Sequence, residues 1–579
     1  KNKLYPVFVA LTVALGGFLL GFDGVVNGGA VPFYRVTFGI SNAPFLIGLS
    51  SSAIILGGLF GNFIVGFLID KIGRKPALLL TSILFMVGAA GTALSPNIVL
   101  FIVSKLIAGL GVGVAILVAP MYIAEIAPPK HRGWLVTFNQ LNIVVGLSVA
   151  MLSNYFILKT VLDPDINWRW MLGIGFFPAL LYFILLFLIP ESPRWLIQKG
   201  REEEGLRILR KSCGEEEAEK EYKNIKLALT ESEKQKEAPT QKLFSKQLKF
   251  IFFIGFGLAI FQQLSGINAV LYYAPMIFES AGSKMDTAFL MAIVVGLVFT
   301  AATILSMFMI DRLGRRPLLI IGTIIMASSF LLVSFSFHKG TYAIKQEGIN
   351  RVCEQAYRAE ISKQAKIKYP NNYLADSTVV GQNKASLYKN VALVGSIDLQ
   401  SPVLLRSKSE IEVLRKTLIQ IEGKIFDKET QFFSSIKSQL TSQFSIEEQE
   451  SVLKNFSEIY KPSILKESIN INSVMVLIGI LGFIAGFSIS LGPVMWAMFS
   501  EIFPIRLRAK AIAVVGAANG LTSFIVATIF PMELEFIGSA ATYLLFGIFM
   551  ILCLFFVVRY IPETKGKTLE ELEAELIRN

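Results

Sequence analysis

Runs of about 20 apolar residues recur along the whole chain, and this repetition limits the possible folds more than any other feature of the sequence. Each run is long enough to cross about 30 Å of hydrocarbon as one α-helix. Six lie in the first part of the chain, near Tyr5–Ala30, Phe45–Ile69, Ala77–Leu94, Ile98–Tyr122, Trp134–Leu158 and Met171–Ile189. Six more lie near Phe250–Phe278, Ala288–Ile310, Leu318–Phe337, Val474–Ser500, Ala511–Phe530 and Ala541–Ile561. With a hydrophobic fraction of 53%, the sequence predicts an all-α polytopic membrane protein with 12 transmembrane helices.

Lysine and arginine collect in the short loops on one side of the predicted membrane. These loops contain Lys71, Arg74 and Lys75; Lys130 and Arg132; Arg312, Arg315 and Arg316; and Arg506, Arg508 and Lys510. Because basic loops stay in the cytoplasm, we expect this side and both termini to be cytoplasmic, in a protein of the cytoplasmic membrane. The net charge of +12 follows from these loops and from segment 197–249, so nucleic acid is not an expected partner.

An internal repeat relates the two sets of six runs. Three landmarks occur twice in the same order: Asp70-Lys-Ile-Gly-Arg-Lys-Pro76 and Asp311-Arg-Leu-Gly-Arg-Arg-Pro317, Glu125-Ile-Ala-Pro and Glu501-Ile-Phe-Pro, and Pro190-Glu-Ser and Pro562-Glu-Thr. Duplicated halves are common in transporters. The repeat therefore predicts two pseudo-symmetric six-helix bundles.

A large insertion separates the ninth and tenth runs. The first landmark precedes the second by 55 positions in the first half and by 190 in the second, so about 135 residues have been added. By the predicted orientation this polar segment, 338–471, lies outside the cytoplasm. Apolar residues at helical spacing predict helices packed as a hairpin or coiled coil: Ile411, Leu414, Leu418, Ile421, Ile425, Ile436 and Leu440. The insertion is either a cap or a module that binds an unknown partner.

The repeat and the insertion set the expected boundaries. They are an N-terminal bundle (1–190), a cytoplasmic helical linker (191–249), helices 7 to 9 (250–337), the insertion (338–471), helices 10 to 12 (472–561) and a cytoplasmic tail (562–579). The mixed Glu and Lys residues of the linker favour short surface helices, with a solvated linker as the alternative.

A carboxylate, Asp23, lies inside the first apolar run. Because a charge at this depth costs roughly a few kcal/mol, such a residue is functional by default, and Asp23 is the candidate for loading and releasing a proton. Lys105 in the fourth run is placed to pair with it. Two alternatives stay open: Asp23 caps a broken helix among glycines, or the long side chain of Lys105 reaches the membrane surface.

Amide side chains cluster in the seventh run. Gln262, Gln263 and Asn268 lie on nearby faces if Gly266 loosens the helix. Neutral amides exchange hydrogen bonds with sugar hydroxyls, and an aromatic ring such as Trp496 covers the apolar face of a pyranose. Two further amides in the fifth and eleventh helices complete the candidate sugar site, Gln140 and Asn519. Packing hydrogen bonds between helices are the alternative for each amide.

Enzyme chemistry is not expected. The two histidines, His131 and His338, lie outside the apolar runs, and no nucleophile–base pair or metal-ligand cluster lies within those runs. The three cysteines fall in different predicted compartments, which leaves no framework for disulfides. We therefore predict neither a metal nor a cofactor, and we expect a monomer in the lipid bilayer.

Long motifs give the chain a resemblance to a known family. They include Gly66-Phe-Leu-Ile-Asp-Lys-Ile-Gly-Arg-Lys75, Pro120-Met-Tyr-Ile-Ala-Glu-Ile-Ala-Pro128, Pro190-Glu-Ser-Pro-Arg-Trp-Leu196, Phe261-Gln-Gln263, Gly266-Ile-Asn268, Tyr272-Tyr-Ala-Pro275, Gly492-Pro-Val-Met-Trp496 and Pro562-Glu-Thr-Lys-Gly-Lys-Thr568. In these motifs, which span everything except the insertion, the chain closely resembles the sugar porter family of the major facilitator superfamily.

The resemblance implies alternating access, in which two bundles rock about a central site. It implies that cytoplasmic charge pairs hold the outward-open state closed below: Asp70, Arg74, Glu125 and Arg132, with Asp311, Arg315, Glu501 and Arg508. It gives sugar-binding positions at Gln140, Gln262, Gln263, Asn268, Trp496 and Asn519, and an outer gate at Tyr272. Asp23 matches the aspartate of the family's proton symporters.

Three positions depart from the family pattern. Lys105 stands where the symporters have arginine, Phe299 where sugar sites often have Asn, and Gly520 where a second Trp is common. We therefore expect proton-coupled symport of a monosaccharide, a pentose or a hexose, through a reshaped pocket. The alternatives are facilitated diffusion of a sugar or polyol and, as a different class, a sugar sensor that signals through the insertion or the linker.

Overall fold

The computed structural model describes residues 4–128, 132–237, 248–356, 402–427, 429–443, 456, 460–504 and 507–565. Within these ranges, 12 helical spans are long and apolar enough to cross a membrane. The first half contains α1 (Leu4–Thr37), α2 (Pro44–Ile72), α3 (Arg74–Leu94), α4 (Ile98–Ile126), α5 (Arg132–Thr160), α6 (Pro164–Gly173) and α7 (Phe176–Phe187). Three further helices follow: α8 (Pro193–Gln198), α9 (Glu202–Cys213) and α10 (Glu215–Glu237).

The second half repeats this order around the insertion. Its first helices are α11 (Lys249–Leu264), α12 (Ile267–Ser280), α13 (Met285–Leu313) and α14 (Arg315–His338). The insertion adds α15 (Pro402–Gln420), α16 (Glu429–Thr441) and α17 (Lys461–Ser468). The last helices are α18 (Ser473–Ile489), α19 (Leu491–Ile502), α20 (Arg508–Phe536) and α21 (Ser539–Tyr560).

Three spans consist of two helices each: α6 with α7, α11 with α12, and α18 with α19. Gly266, the residue expected to loosen the seventh run, separates α11 from α12 with a φ of 77°, a left-handed conformation that favours glycine. The break at Ser490 was not predicted. Its physical reason is Pro493, which has no N–H for the carbonyl of Ile489 and would clash with it in a continuous helix.

Close helix packing within the first half depends on glycine. Helix α2 lies against α4, and a Cβ atom added at Gly57 would lie 2.2 Å from the carbonyl oxygen of Leu106. Small residues let membrane helices approach backbone to backbone, where dispersion forces and close packing provide the attraction. The α2–α4 and α1–α5 pairs form the frame of this half, as the α14–α18 and α14–α21 pairs do in the second.

The two halves of the bundle meet towards one end of the membrane-spanning helices. We call the end with the α2–α3 and α13–α14 loops the basic end, and the other the far end. Towards the far end, Ser52 Oγ and Thr528 Oγ1 lie 2.6 Å apart. Lys159 Nζ also forms an ion pair of 2.7 Å with Asp286 Oδ2 there. These contacts between α2 and α20 and between α5 and α13 bring the halves together at the far end.

The insertion has a hydrophobic core of its own. Strand β1 (Thr341–Tyr342) pairs antiparallel with β2 (Ile469–Asn470), so the insertion enters and leaves the bundle through one two-stranded stalk. Six of the seven apolar residues predicted to pack are buried in this core: Ile411, Leu414, Leu418, Ile421, Ile436 and Leu440. The prediction was wrong for Ile425, which is 69% exposed, because α15 ends at Gln420 and Gly423 turns the chain with a φ of 71°.

The linker after the first half forms helices in its described part, 193–237, rather than an extended solvated segment. Helices α8, α9 and α10 pack around a small apolar cluster of Ile197, Leu209, Ala218 and Ile225. Glutamates at the first turns of α9 and α10 lie at helix N-termini, where negative charge is favoured.

Candidate functional site

A buried ion pair connects the first and fourth helices. Lys105 Nζ lies 3.4 Å from Asp23 Oδ1, and the side chains are 1% and 18% exposed, respectively. Helix α1 is continuous through Asp23, so this aspartate does not cap a helix break. The ammonium group of Lys105 does not reach the membrane surface. Because removing one partner would leave an uncompensated charge in the core, each charge makes the other tolerable.

The amides of the second half form one hydrogen-bonded cluster across α11, α12 and α20. Gln263 Nε2 donates to Gln262 Oε1 at 3.2 Å and to Asn519 Oδ1 at 3.1 Å. Asn268 Nδ2 donates to Gln263 Oε1 at 3.0 Å and to Ser523 Oγ at 2.6 Å. The structure thus brings together four of the six residues predicted to bind sugar, and adds Ser523, one helical turn after Asn519.

The same cluster is anchored to the main chain where the helices break. Gln262 Nε2 donates to the carbonyl of Leu491 at 2.9 Å. Leu491 is the first residue after the helix break at Ser490. Asn519 Nδ2 donates to the carbonyl of Ala259 and to Gln262 Oε1, both at 2.8 Å. The amides therefore already pair with neighbours, so a hydroxyl-bearing ligand would bind by exchanging hydrogen bonds rather than by meeting isolated donors.

Neither Trp496 nor Gln140, the other two predicted sugar-binding residues, has a described hydrogen bond to the cluster. Trp496 lies on α19, packs edge to face against Phe499 with ring centroids 5.7 Å apart, and is 47% exposed. Gln140 lies on α5 of the other half and is exposed. An open indole face beside paired amides suits a ring with hydroxyls on its edge and C–H bonds on its face.

Gly520 and Phe299 are the two pocket positions at which the residue departs from the family pattern, and each has an apolar neighbour in the structure. A Cβ atom added at Gly520 would lie 2.5 Å from Leu59 Cδ2, so Leu59 of the other half occupies space that a larger residue would need. Phe299 is partly buried and lies 6.5 Å from Phe487, centroid to centroid. Sequence reasoning missed Leu59, because a leucine in an apolar helix gives no signal that it faces a site.

Tyr272, the predicted outer gate, is buried against α1. A Cβ atom added at Gly28 would lie 2.6 Å from the carbonyl oxygen of Tyr272. One turn away, a Cβ atom at Gly24 would lie 3.9 Å from the Tyr272 hydroxyl. The ring therefore lies beside the segment of α1 that carries Asp23, and α12 is closed against α1 at this level.

Charged side chains at the basic end pair within each half. Arg74 donates through Nε and an Nη atom to the two carboxylate oxygens of Glu125, both at 3.0 Å, and lies 3.5 Å from Asp70. In the second half, Arg315 donates to Glu501 Oε1 at 3.1 and 2.8 Å. The side chains of Arg132 and Asp311 lie outside the described part of the chain.

Arg508, the remaining residue of the predicted network, bonds the main chain in the described structure. Its Nε donates to the carbonyl of Phe503 at 3.2 Å. This bond holds the start of α20 against the end of α19.

The third repeated landmark has a role that sequence reasoning missed. Glu191 accepts hydrogen bonds from the backbone N–H groups of Arg74 and Lys75, at 3.0 and 3.2 Å, at the start of α3. Glu563 does the same at the start of α14. Burial raises the pKa of the Glu191 carboxyl, although these N–H groups favour its charged form. The repeat of Pro-Glu-Ser as Pro-Glu-Thr was the available signal.

Comparison with known proteins agrees with this geometry. The family described as "Sugar (and other) transporter" matches residues 9–353 and 459–576, which omits much of the insertion. The chain is 28% identical to the D-xylose-proton symporter of Escherichia coli (strain K12), over 99% of this chain and 96% of the relative. It is 32% identical to the probable inositol transporter 2 of Arabidopsis thaliana, over 100% of this chain and 92% of the relative.

Solved structures give the same result. The inward open conformation of the xylose transporter XylE from E. coli matches with a TM-score of 0.66 and 26% identity, covering 99% of this chain and 100% of that one. The predicted major facilitator fold with 12 membrane helices is confirmed. The protein is a multi-pass membrane transporter rather than an enzyme. The chain therefore belongs to the sugar transporter family, the sugar porters of the major facilitator superfamily that its motifs resemble.

Proposed function

We propose that the chain carries a monosaccharide, a pentose or a hexose, together with a proton across the cytoplasmic membrane. The observation that carries this proposal is the buried pair of Asp23 and Lys105, 3.4 Å apart in the core of the first half. A carboxylate at membrane depth is a functional-site candidate by default, and proton relay is one of the roles of such residues. A relative of similar length is a D-xylose-proton symporter, which supports the same reading.

Proton binding would act through the charge balance of this pair. Protonation makes Asp23 neutral and leaves the ammonium of Lys105, 1% exposed, without its counter-charge. Breaking a buried ion pair from one side costs about 3–5 kcal/mol, which is enough to redistribute two conformations of a carrier. Because Asp23 lies on α1 beside the gate residue Tyr272, that cost reaches the contact between the halves.

The substrate class follows from the paired amides and the open indole. Gln262, Gln263, Asn268 and Asn519 offer donors and acceptors without net charge, and Trp496 offers an exposed ring. A charged substrate would find no counter-charge in this cluster, whereas hydroxyls of a neutral ring exchange hydrogen bonds with it. The likeness to a probable inositol transporter brings cyclic polyols onto the panel of substrates to be tested.

In this structure the two halves are closed against each other at the far end, for example through the contact between Ser52 and Thr528. We place the basic end in the cytoplasm, because cytoplasmic loops collect Lys and Arg. With its far end closed, the structure is then assigned to a state closed towards the outside, and both termini lie in the cytoplasm. In this state the charge pairs of Arg74 and Arg315 stay within their own halves.

Asp23→Asn tests the coupling. In proteoliposomes with an imposed pH gradient, we expect the variant to lose accumulation of labelled sugar but to keep exchange of labelled for unlabelled sugar. Asp427→Asn, which removes an exposed carboxylate of the insertion, is the matched control and should accumulate normally. Unchanged accumulation by Asp23→Asn would refute the coupling and favour facilitated diffusion. Absence of exchange for every pentose, hexose and polyol in the wild type would refute the substrate class.

A further inference from the structure

A small cavity lies where α1, α5, α12 and α13 meet, on the far-end side of the Asp23 carboxylate. Residues of both halves line it, among them Gly28, Met151 and Asn154 from the first and Leu271 and Phe289 from the second. It leaves about 10 Å³ for the centre of a water molecule. That is the room that one water needs.

One polar side chain in the cavity wall has an unused acceptor. Asn154 is 3% exposed, and its Nδ2 donates to the carbonyl of Val26 at 2.9 Å. Its Oδ1 is buried and has no hydrogen-bond partner in the described structure. Leaving such an acceptor without a donor costs about 1–3 kcal/mol, so an unoccupied cavity would be an unfavourable arrangement.

A second acceptor comes from a kink in α12, where Tyr273 has the non-helical backbone angles φ −120° and ψ 15°. Pro275, also in the cavity wall, has no N–H, so the carbonyl of Leu271 loses the donor that an α-helix would supply four residues later. This carbonyl faces α1, because a Cβ atom added at Gly28 would lie 3.4 Å from its oxygen. The cavity thus joins two acceptors that come from opposite halves of the protein.

We propose that the cavity binds one structural water molecule, which donates one hydrogen bond to Asn154 Oδ1 and the other to the Leu271 carbonyl. Water supplies two donors for two acceptors, and the remaining wall is apolar. Asn154 and Leu271 lie on different halves, so the site is complete only when the far end is closed. The water is therefore a ligand of the closed outer gate and stabilises that state over the open one.

A double-mutant cycle tests the proposal. Ala292→Val fills the cavity and excludes the water, whereas Asn154→Leu removes the acceptor at nearly constant volume. The readout is the population closed at the far end, measured as the distance between spin labels at Leu162→Cys and Lys284→Cys. The three native cysteines are replaced by Ala for this measurement, which uses neither sugar nor a pH gradient and is thus independent of the proposed transport activity.

Ala292→Val should lower the closed population about tenfold in the wild-type background, because Asn154 Oδ1 loses its donor. In the Asn154→Leu background the same substitution should change the population less than about twofold, since the steric cost of the added methyl groups is common to both backgrounds and cancels. Equal effects in the two backgrounds would overturn the proposal. A structure at a resolution that shows ordered waters should contain density between Asn154 and Leu271, and an empty cavity there would overturn it as well.

Discussion

Replacing Gly48 by Ala should prevent the far end from closing. A Cβ atom at this position of α2 would lie 1.9 Å from the carbonyl oxygen of Thr528 and 3.0 Å from its Cα. Since all three nearest atoms, the carbonyl oxygen, the carbonyl carbon and Cα of Thr528, belong to the backbone of α20, no side-chain rotation relieves the clash. The helices must separate by about 1.5 Å to reach an ordinary van der Waals contact.

The energetic cost follows from what that separation breaks. The hydrogen bond between Ser52 and Thr528, at 2.6 Å, is lost at a cost of about 1 kcal/mol. Forcing extra volume into packed helices adds about 1–3 kcal/mol. The total of about 2–4 kcal/mol lowers the population closed at the far end by roughly 30- to 1,000-fold relative to the open one.

Spin-label distances between Leu162→Cys and Lys284→Cys measure this population, and transport of labelled sugar measures its consequence. We expect longer distances and a lower transport rate for Gly48→Ala. Gly66→Ala on the same helix is the matched control, because a Cβ atom there meets nothing within 4 Å. If the two variants have the same distance distribution and the same transport rate, closure of α2 on α20 does not work as we describe.

Three further predictions concern other parts of the molecule. Exchange of residues 343–468 for Asn-Gly should keep sugar transport, because Tyr342 already pairs with Ile469 and a two-residue turn can join them; loss of transport by the folded variant would make the insertion part of the carrier cycle. Arg74→Lys keeps the charge but loses the paired bonds to Glu125, so the unfolding temperature should fall by an amount corresponding to about 1–3 kcal/mol, and an unchanged temperature would refute this. Burial raises the pKa of the Cys353 thiol to about 11, and only the thiolate reacts with maleimide, so its alkylation rate should keep rising with pH towards that value; a plateau near the ordinary thiol pKa would contradict this.

The sequence predicted the architecture well because its signals are local and repeated. The length of the apolar runs is set by the thickness of the bilayer, and the duplicated landmarks place Arg74 and Arg315 in corresponding positions of the two halves. The loosening of the seventh run at Gly266 was also a local signal, and the structure shows its form, a left-handed conformation that glycine adopts without a steric penalty.

The remainder depends on contacts between distant residues. That Gln263 bonds Asn519, or that Leu59 fills the space beside Gly520, depends on the relative placement of helices that the sequence pattern does not specify. For Ile425 the sequence pattern predicted burial that the structure does not show, because the helical spacing of apolar residues continues in the sequence after the helix itself has ended. The pairing of Asp23 with Lys105 was partly predictable. The cost of an unpaired charge in the membrane favoured the pair, but only the structure gives the distance between the two groups.

The most direct test of the central claim is to measure proton movement and sugar uptake in the same sample. Proteoliposomes containing the wild-type protein are mixed with a transported sugar in a lightly buffered medium, and external pH is recorded alongside labelled sugar inside. We predict external alkalinisation in proportion to sugar uptake, and its loss in Asp23→Asn. Sugar uptake by the wild type without any proton uptake would contradict the account, because Asp23 would then not carry a proton with the substrate.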